Sequence, residues 1–143
     1  MADSLKSSLE ALIRAEEGCR LKPYRCSAGK LTIGIGRNLE DKGISESEAE
    51  LMFANDLAEV KGQISAALPW AETLDPVRYA VLVSMAFQMG IYGLLGFKQT
   101  LAAVFREDWD EASRRMLKSK WAREDTPKRA RRHAIMMRRG EWL

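Results

Sequence analysis

Cysteine and histidine are scarce in this chain of 143 residues, which contains two cysteines and one histidine. Two cysteines are too few for a disulfide scaffold, and with a single histidine they cannot fill a tetrahedral zinc site. Ten glycines and four prolines are far fewer than collagen-like or low-complexity chains contain. The composition therefore predicts an ordinary folded protein, and it gives no reason to expect a metal ion or another cofactor.

Long apolar runs are also missing from the sequence. The longest, Tyr79–Phe87, is interrupted by Ser84 and is too short to cross a bilayer. Near the N-terminus, Lys6, Glu10 and Arg14 interrupt what would be the apolar core of a signal peptide. We therefore expect a soluble protein made in the cytoplasm, with no transmembrane segment and no signal peptide. If it acts outside the cytoplasm, something else must release it.

The net charge of +3 conceals a strong asymmetry along the chain. Residues 1–113 carry 12 basic and 17 acidic side chains, whereas residues 114–139 carry 11 basic and 2 acidic ones. A basic segment indicates an anionic partner such as nucleic acid, a membrane surface or an acidic polymer. A solvated helix face that is merely basic explains the pattern equally well.

The periodicity of hydrophobic residues predicts the positions of the main helices and strands. Leu5, Leu9, Leu12 and Ile13 recur at helical spacing, which predicts an amphipathic helix from about residue 3 to 17, stopped by Gly18. The alternation at residues 31–36 predicts a strand after a turn at 27–29, with a second strand around Tyr24. Ser45 and Glu48 have the spacing of a capping box, and the helical stripe behind them continues to Leu68. Further helices are predicted at 76–90, 94–105, 109–121 and 127–139.

These elements predict an α+β fold, in which a long helix joins a small N-terminal β-lobe to a larger helical lobe. We predict one domain over residues 1–143. Its N-terminal helix and β-lobe occupy about 1–44, the connecting helix about 45–68 and the helical lobe about 69–143.

One segment contains residues that packing of the hydrophobic core does not explain. Glu17 ends the first helix, Cys26 precedes a turn, Thr32 lies on a strand, and Gly34 and Gly36 leave that strand without side chains. A bare strand beside a carboxylate could form the wall of a polymer-binding cleft. On periodicity alone, Glu17 could equally be a surface acid, Cys26 a small core residue and Thr32 an ordinary strand residue. The two glycines could equally form a bulge.

The spacing of Glu17, Cys26 and Thr32 resembles the catalytic signature of the T-even-type phage lysozymes, the muramidase endolysins of glycoside hydrolase family 24. That signature is a Glu, eight residues, an Asp or Cys, five residues and a Thr. The similarity extends to the short motifs that surround this signature and continues in order through nearly the whole chain. The further similar segments are 87–90, 96–97, 109–112, 118–121, 126–130 and 139–142.

This resemblance implies a lysozyme-like fold with a cleft between the lobes, and hydrolysis of the β-1,4 bond between N-acetylmuramic acid and N-acetylglucosamine in peptidoglycan, for host cell lysis. It implies a monomer without a cofactor, released to the periplasm or cell wall through a holin-type pore. Glu17 would protonate the leaving sugar oxygen, whereas Glu16 fails the spacing and reads as a surface acid. A carboxyl with the ordinary pKa of about 4.3 keeps its proton near neutral pH only where it is buried, so the role predicts a buried Glu17.

The family usually has Asp where this chain has Cys26. The thiol could act as a partial thiolate or as a polarisable group, and both roles stay open at this point. Thr32 would orient the attacking water. Arg37 stands where the relatives place a His, and Asp41 is the candidate for its partner. Whether Cys19 and Cys26 form a disulfide also stays open.

The resemblance also implies a set of glycan-binding residues. On the β side these are Gly36, Arg37 and Leu39, and on the helical side they are Phe87, Gln88, Thr100, Lys120, Thr126 and Arg129. Arg129 is the Arg of a T-P-x-R motif, and in the family this Arg pairs with the catalytic Glu. Phe87 could equally be a core residue. The positions of Trp109, Trp121 and Trp142 fit anchors of the helical core better than sugar platforms.

Two alternatives belong to other functional classes. The first is a cysteine amidase that uses Cys26 as nucleophile and His133 as base. The second is a non-catalytic basic module that binds nucleic acid through residues 114–139, although no recognition motif is present there. A positive face that attracts anionic wall polymer or lipopolysaccharide is compatible with the lysozyme interpretation.

Overall fold

The computed structural model describes the backbone of residues 2–143 and the side chains of residues 8–143, so the predicted role of Leu5 lies outside the described side chains. Three strands precede most of the helices, and the predicted α+β class is confirmed. The elements are α1 (Ala2–Glu17), β1 (Arg20–Arg25), β2 (Leu31–Gly34), β3 (Arg37–Asn38), α2 (Glu46–Ala67), a 3-10 turn (Pro69–Thr73), α3 (Pro76–Leu95), α4 (Lys98–Phe105), α5 (Trp109–Lys118), a π turn (Trp121–Asp125) and α6 (Pro127–Arg139).

The chain forms two compact units, Met1–Leu51 (unit 1) and Met52–Leu143 (unit 2), and the boundary falls within α2. In unit 1, the strands form an antiparallel sheet in the order β1-β2-β3. The predicted turn closes the β1–β2 hairpin: the amide of Gly29 donates to the carbonyl of Cys26 at 2.8 Å, and Gly29 adopts the positive φ of 77° that such a turn needs. The two-residue strand β3 was not predicted because it is too short to show a periodic pattern.

The predicted capping box at the start of α2 is confirmed. The backbone amide of Glu48 donates to the hydroxyl of Ser45 at 3.2 Å, and the amide of Ser45 donates to the carboxylate of Glu48 at 2.9 Å. Two amides that an uncapped helix would leave unpaired are therefore satisfied reciprocally. The helix that they start ends at Ala67, close to the predicted limit at residue 68.

Unit 2 holds the hydrophobic core, and α3 contributes most to it. Asp75 caps α3 by accepting from the amide of Arg78 at 3.0 Å, and Pro76 follows at the first helical position as predicted. The prediction that Gly90 ends the first helical stretch is confirmed: Gly90 takes φ 80° and ψ 163°, which is not helical, and a second, short stretch follows it to Leu95 within α3. The next helix, α4, begins at Lys98, later than the predicted start near Leu94.

The same helix bears on the expectation that no segment spans a membrane. Among the described residues, α3 alone has the length and mean hydropathy of a membrane-crossing helix. Seven of its side chains are buried in the core of unit 2, namely Val77, Val81, Leu82, Val83, Met85, Ala86 and Leu94. We therefore interpret α3 as a core helix.

Candidate active site

Glu17 occupies the C-terminal end of α1, and its carboxylate lies directly against the bare backbone of Gly36. A Cβ atom at Gly36 would approach Glu17 Oε2 to 2.6 Å and Cδ to 2.8 Å. Gly36 also has a φ of 69°, a left-handed conformation that favours glycine. Gly36, which sequence analysis placed on the β side, is therefore needed because any larger residue would displace the carboxylate of Glu17.

The expectation that Glu17 is buried is wrong, because its side chain is exposed. It comes from the last residue of α1, whose described side chains are all exposed, and Gly36 covers it on one side only.

Cys26 lies at the turn between β1 and β2, and its backbone amide donates to the carbonyl of Lys30 at 3.0 Å. The backbone at Lys30 and Ala28 and, to a lesser extent, the hydroxyl of Thr32 hold the pKa of the Cys26 thiol below its usual value, with partial burial opposing them. Hydrogen bonds to the charged form favour that form. Of the two roles left open for Cys26, the surroundings favour the thiolate.

Thr32 lies on β2, is 4% exposed and stands opposite Tyr24 in the hairpin. Its hydroxyl donates to the carbonyl of Lys30 at 2.8 Å and contributes to lowering the pKa of the Cys26 thiol. The β1–β2 hairpin thus brings together two of the three signature residues, Cys26 and Thr32.

Glu40 joins the two arms of this turn, and sequence analysis missed it. Its carboxylate lies 3.4 Å from the guanidinium of Arg25 and 3.4 Å from the ammonium of Lys30, which flank the turn on either side. No local motif marks Glu40, since its partners are 15 and 10 residues away. All three side chains are well exposed, so these pairs orient the turn more than they stabilise the fold.

Arg37 pairs with Glu48, and the proposed partner Asp41 is wrong. Two guanidinium nitrogens of Arg37 each lie 2.7 Å from a carboxylate oxygen of Glu48, and Nη1 also donates to the carbonyl of Gly43 at 3.2 Å. The pairing, with the Ser45 cap, lowers the pKa of Glu48 to about 2, and it raises the pKa of Arg37. Asp41 instead accepts from the amide of Asn38 and pairs with Lys30.

The two cysteines are free, and β1 keeps them apart. Cys19 precedes the strand and Cys26 follows it. A strand rises about 3.3 Å per residue, which puts their Cα atoms on the order of 20 Å from each other. A disulfide needs a Cα separation of roughly 4–7 Å, so the two cannot join within one chain while β1 is formed. Leu39, the remaining residue predicted on the β side, is half-buried and pairs with β2 through its amide.

The residues predicted on the helical side belong to unit 2, where Gln88 is central. Its amide oxygen accepts from the indole of Trp121 at 3.0 Å, and its amide nitrogen donates to the hydroxyl of Thr126 at 3.4 Å. Trp121 is 5% exposed and packs in the core, as predicted. The core therefore fixes the orientation of a polar group that lines the surface.

Two grooves of unit 2 contain the remaining predicted residues, and both include Gln88. The first has a volume of about 780 Å³ and includes Phe87 and Arg129. Phe87 is 45% exposed and packs edge-to-face on Phe53, so the alternative that it is a core residue is wrong. The second groove, of about 860 Å³, includes Thr100 and Lys120.

His133 and Trp142 test two other expectations. The Nε2 atom of His133 lies 2.7 Å from the hydroxyl of Ser84, and its ring packs edge-to-face on Trp121. Burial lowers the pKa of its imidazole, which fits a packing role within unit 2. Trp109 is an anchor as predicted, stacked under the guanidinium of Arg78 at 4.0 Å. Trp142 is not an anchor: it is 65% exposed, because α6 ends before it and Gly140 turns the chain.

Residues 14–141 match the family model described as phage lysozyme. The chain belongs to the phage lysozyme family. It is 30% identical to the probable T4-type lysozyme 1 of Dictyostelium discoideum, over 88% of this chain and 91% of that protein. It is 32% identical to an endolysin of Acyrthosiphon pisum secondary endosymbiont phage 1, over 56% of each chain. It is also 29% identical to the pre-baseplate central spike protein Gp5 of Enterobacteria phage T4, over 83% of this chain but 26% of that protein.

Membership in this family confirms the predicted class of enzyme, a lysozyme-like glycoside hydrolase that acts on peptidoglycan. The fold of this chain is correspondingly α+β, with its small sheet near the N-terminus. The cysteine amidase and the nucleic-acid module were alternatives to this class, and neither has support from the comparisons.

Proposed function

We propose that this chain is an endolysin that hydrolyses the β-1,4 bond between N-acetylmuramic acid and N-acetylglucosamine during host cell lysis. The observation that carries the proposal is the β1–β2 hairpin, which places Cys26 beside Thr32 and lowers the pKa of its thiol; such a thiol can take on the task that a carboxylate performs in much of the family. Glu17 lies in the same unit and supplies the second group that glycoside hydrolysis needs.

Glu17 is the general acid in this proposal. It donates a proton to the leaving sugar oxygen while the bare backbone of Gly36 keeps its carboxyl in place. Because the side chain is exposed, bound glycan can contact the carboxyl directly. Glu16, its neighbour, has no part in the reaction.

Cys26 is the base in this proposal, acting as a thiolate on a water molecule that Thr32 helps to orient. A thiol of ordinary pKa, about 8.5, is mostly neutral at pH 7. The lowered pKa of the Cys26 thiol increases the thiolate fraction there, so activity should rise with pH through a range below that of a free cysteine. The reaction follows the inverting course, in which water attacks the face opposite the leaving group.

We propose that nine residues contact the glycan. In unit 1 they are Gly36, Arg37 and Leu39, and in unit 2 they are Phe87, Gln88, Thr100, Lys120, Thr126 and Arg129. Gln88 is the best supported of these, since Trp121 and Thr126 fix its amide at the surface. An amide held in this way can exchange hydrogen bonds with sugar hydroxyls and acetamides.

The products of digestion test the proposed bond and the role of the thiol together. Purified peptidoglycan treated with the wild-type protein should gain reducing sugar ends and no free amines. Cys26→Ala should lower the rate by roughly 10²-fold or more, which is the scale of an acid–base participant. Cys26→Asp should retain most of the activity and stay active at lower pH, since Asp ionises near pH 3.9. Cys19→Ala is the matched control and should behave as wild type.

An amidase would give the opposite pattern. Free amines would appear, and Cys26→Asp would be inactive because a carboxylate cannot replace a thiolate nucleophile. A Cys26→Asp protein that hydrolyses glycan with an unshifted pH profile would instead remove Cys26 from the role of base while leaving the bond assignment intact.

We further propose that the protein acts as a monomer, reaches the periplasm or cell wall through a holin-type pore, and uses its basic C-terminal face to attract anionic wall polymer or lipopolysaccharide. Arg131, Arg132, Arg138 and Arg139 of α6 are exposed. Replacing all four by Gln should flatten the decrease of lysis rate with added salt, because screened attraction between surface charges disappears with the charges. An unchanged salt dependence would argue against this face.

A further inference from the structure

His133 is a half-buried side chain of α6 to which the proposed reaction gives no role. Its Nε2 atom lies 2.7 Å from the hydroxyl of Ser84 on α3. Its Nδ1 atom is buried and forms no hydrogen bond with any residue that the structure describes. Buried polar atoms are nearly always hydrogen-bonded, and an apolar side chain would fill this space without leaving one bare. The imidazole is therefore explained by what its ring and its bonded nitrogen hold in place.

Ser84 and His133 are close enough to be a nucleophile and its base, but the surroundings of the ring oppose that use. A base that takes a proton from serine becomes a cation, and a third group then stabilises its other nitrogen. Here burial holds the pKa of the His133 imidazole below its usual value, and the charges of Arg129 and Arg132 add to this effect, although the carbonyl of Arg129 opposes it. The neutral ring is therefore favoured, and it acts through packing.

The indole of Trp121 packs against the ring of His133. The two rings meet edge-to-face, with their centroids 5.9 Å apart and their planes at 76°. Phe97 meets the same indole at 5.9 Å and 87°. Edge-to-face pairs are directional because the positive edge of one ring faces the negative face of the other. Two such contacts, on a side chain that is 5% exposed, leave the indole of Trp121 little freedom to rotate.

The orientation of this indole determines where the amide of Gln88 points. The Nε1 atom of Trp121 donates to Oε1 of Gln88 at 3.0 Å, whereas the amide nitrogen of Gln88 donates to the hydroxyl of Thr126 at a longer 3.4 Å. An indole has a single N–H donor, so rotation of Trp121 would break its bond to Gln88. The remaining contact with Thr126 is the weaker restraint on the amide.

From these contacts we infer that His133 is a positioning residue for glycan binding: its ring holds Trp121, and Trp121 holds the amide of Gln88 in the orientation that meets the sugar. The inference rests on the proposed contact between Gln88 and the glycan. Ser84 completes the arrangement, because it anchors the ring of His133 and lines the same groove of unit 2 as Gln88.

A double-mutant cycle tests whether His133 acts through Gln88. His133→Ala should raise KM for soluble, uncross-linked glycan strands about threefold to tenfold, the range of one neutral hydrogen bond. It should change kcat less than about twofold, because Gln88 binds sugar and moves no proton. Gln88→Ala should raise KM by a similar factor, and adding His133→Ala to it should raise KM no further, since residues that act as one unit are not additive. His133→Phe keeps a ring against Trp121 and should keep KM near wild type.

Val104→Ala separates positioning from a general loss of stability. Val104 is fully buried on α4, so its truncation should lower the midpoint of thermal unfolding. At a temperature where the variant is folded, KM should equal that of the wild type. An equal rise of KM in Val104→Ala, or additive effects of His133→Ala and Gln88→Ala, would overturn the inference.

Spectra of the ¹⁵N-labelled full chain without glycan test the positioning apart from the proposed function. The indole N–H of Trp121 and the side-chain amide of Gln88 should both shift in His133→Ala, and the amide of Gln88 should stay near its wild-type position in His133→Phe. An amide of Gln88 that does not move in His133→Ala would overturn the role of His133. A moved amide with an unchanged KM would instead overturn the glycan contact on which the inference rests.

Discussion

Glu17→Gln should reduce the release of reducing ends from peptidoglycan by about 10²- to 10⁴-fold, the contribution expected of a general acid. Glutamine has nearly the same shape as glutamate, so it can pack against Gly36 as the carboxyl does. Its amide cannot transfer a proton to the leaving sugar oxygen. The loss should therefore appear in the turnover number, while sedimentation of the variant with insoluble peptidoglycan stays close to wild type.

Glu16→Gln provides the matched control for this prediction. Glu16 is the adjacent acid of α1 and is likewise exposed, but it lies one residue outside the signature spacing. We expect its activity within about twofold of wild type, as for an ordinary surface substitution. If Glu16→Gln were inactive and Glu17→Gln active, the assignment carried by the spacing to Cys26 and Thr32 would be wrong.

Features set by neighbouring residues could be predicted from the sequence. The capping box at Ser45 and Glu48, the N-cap at Asp75 and the turn at residues 27–29 each depend on side chains and amides three or four residues apart. The residue types at those positions carry the necessary chemistry by themselves. For this reason the starts of α2 and α3 and the β1–β2 hairpin were placed correctly.

Features set by distant residues could not be predicted in this way. Arg78 donates to the carbonyls of Met137 at 2.7 Å and Arg138 at 2.9 Å, and so caps the end of α6 from 59 and 60 residues away. This cap depends on tertiary packing, which no local pattern of the sequence indicates.

The same division holds at the candidate active site. The resemblance to the family signature selected Glu17, Cys26 and Thr32 as candidates, but the pKa of the Cys26 thiol is lowered by the backbone at Ala28 and Lys30, which no residue type reveals. The partner of Arg37 was missed for a related reason. Glu48 was already assigned to the capping box, and its second carboxylate oxygen remained available for the ion pair.

Gly36→Ala should lower the hydrolysis rate by roughly 10- to 100-fold while the protein still folds. The new Cβ would lie 2.6 Å from Glu17 Oε2, so the carboxyl must move by several tenths of an ångström or more. Displacement of a catalytic group by about 1 Å can lower a rate about 10²-fold. The positive φ of 69° adds a separate penalty of about 1–2 kcal/mol to stability, since a Cβ disfavours that conformation.

Gly34→Ala separates these two effects, because Gly34 has the same φ of 69° but nothing within 4 Å of a Cβ built there. Both variants should show a similar decrease in the midpoint of thermal unfolding, whereas only Gly36→Ala should lose activity at a temperature where both are folded. Equal loss of activity in the two variants would assign the defect to backbone strain. Full activity in folded Gly36→Ala would mean that Glu17 need not lie against the bare backbone for catalysis. A selective loss at Gly36 would instead identify this contact as what holds the proton donor in place.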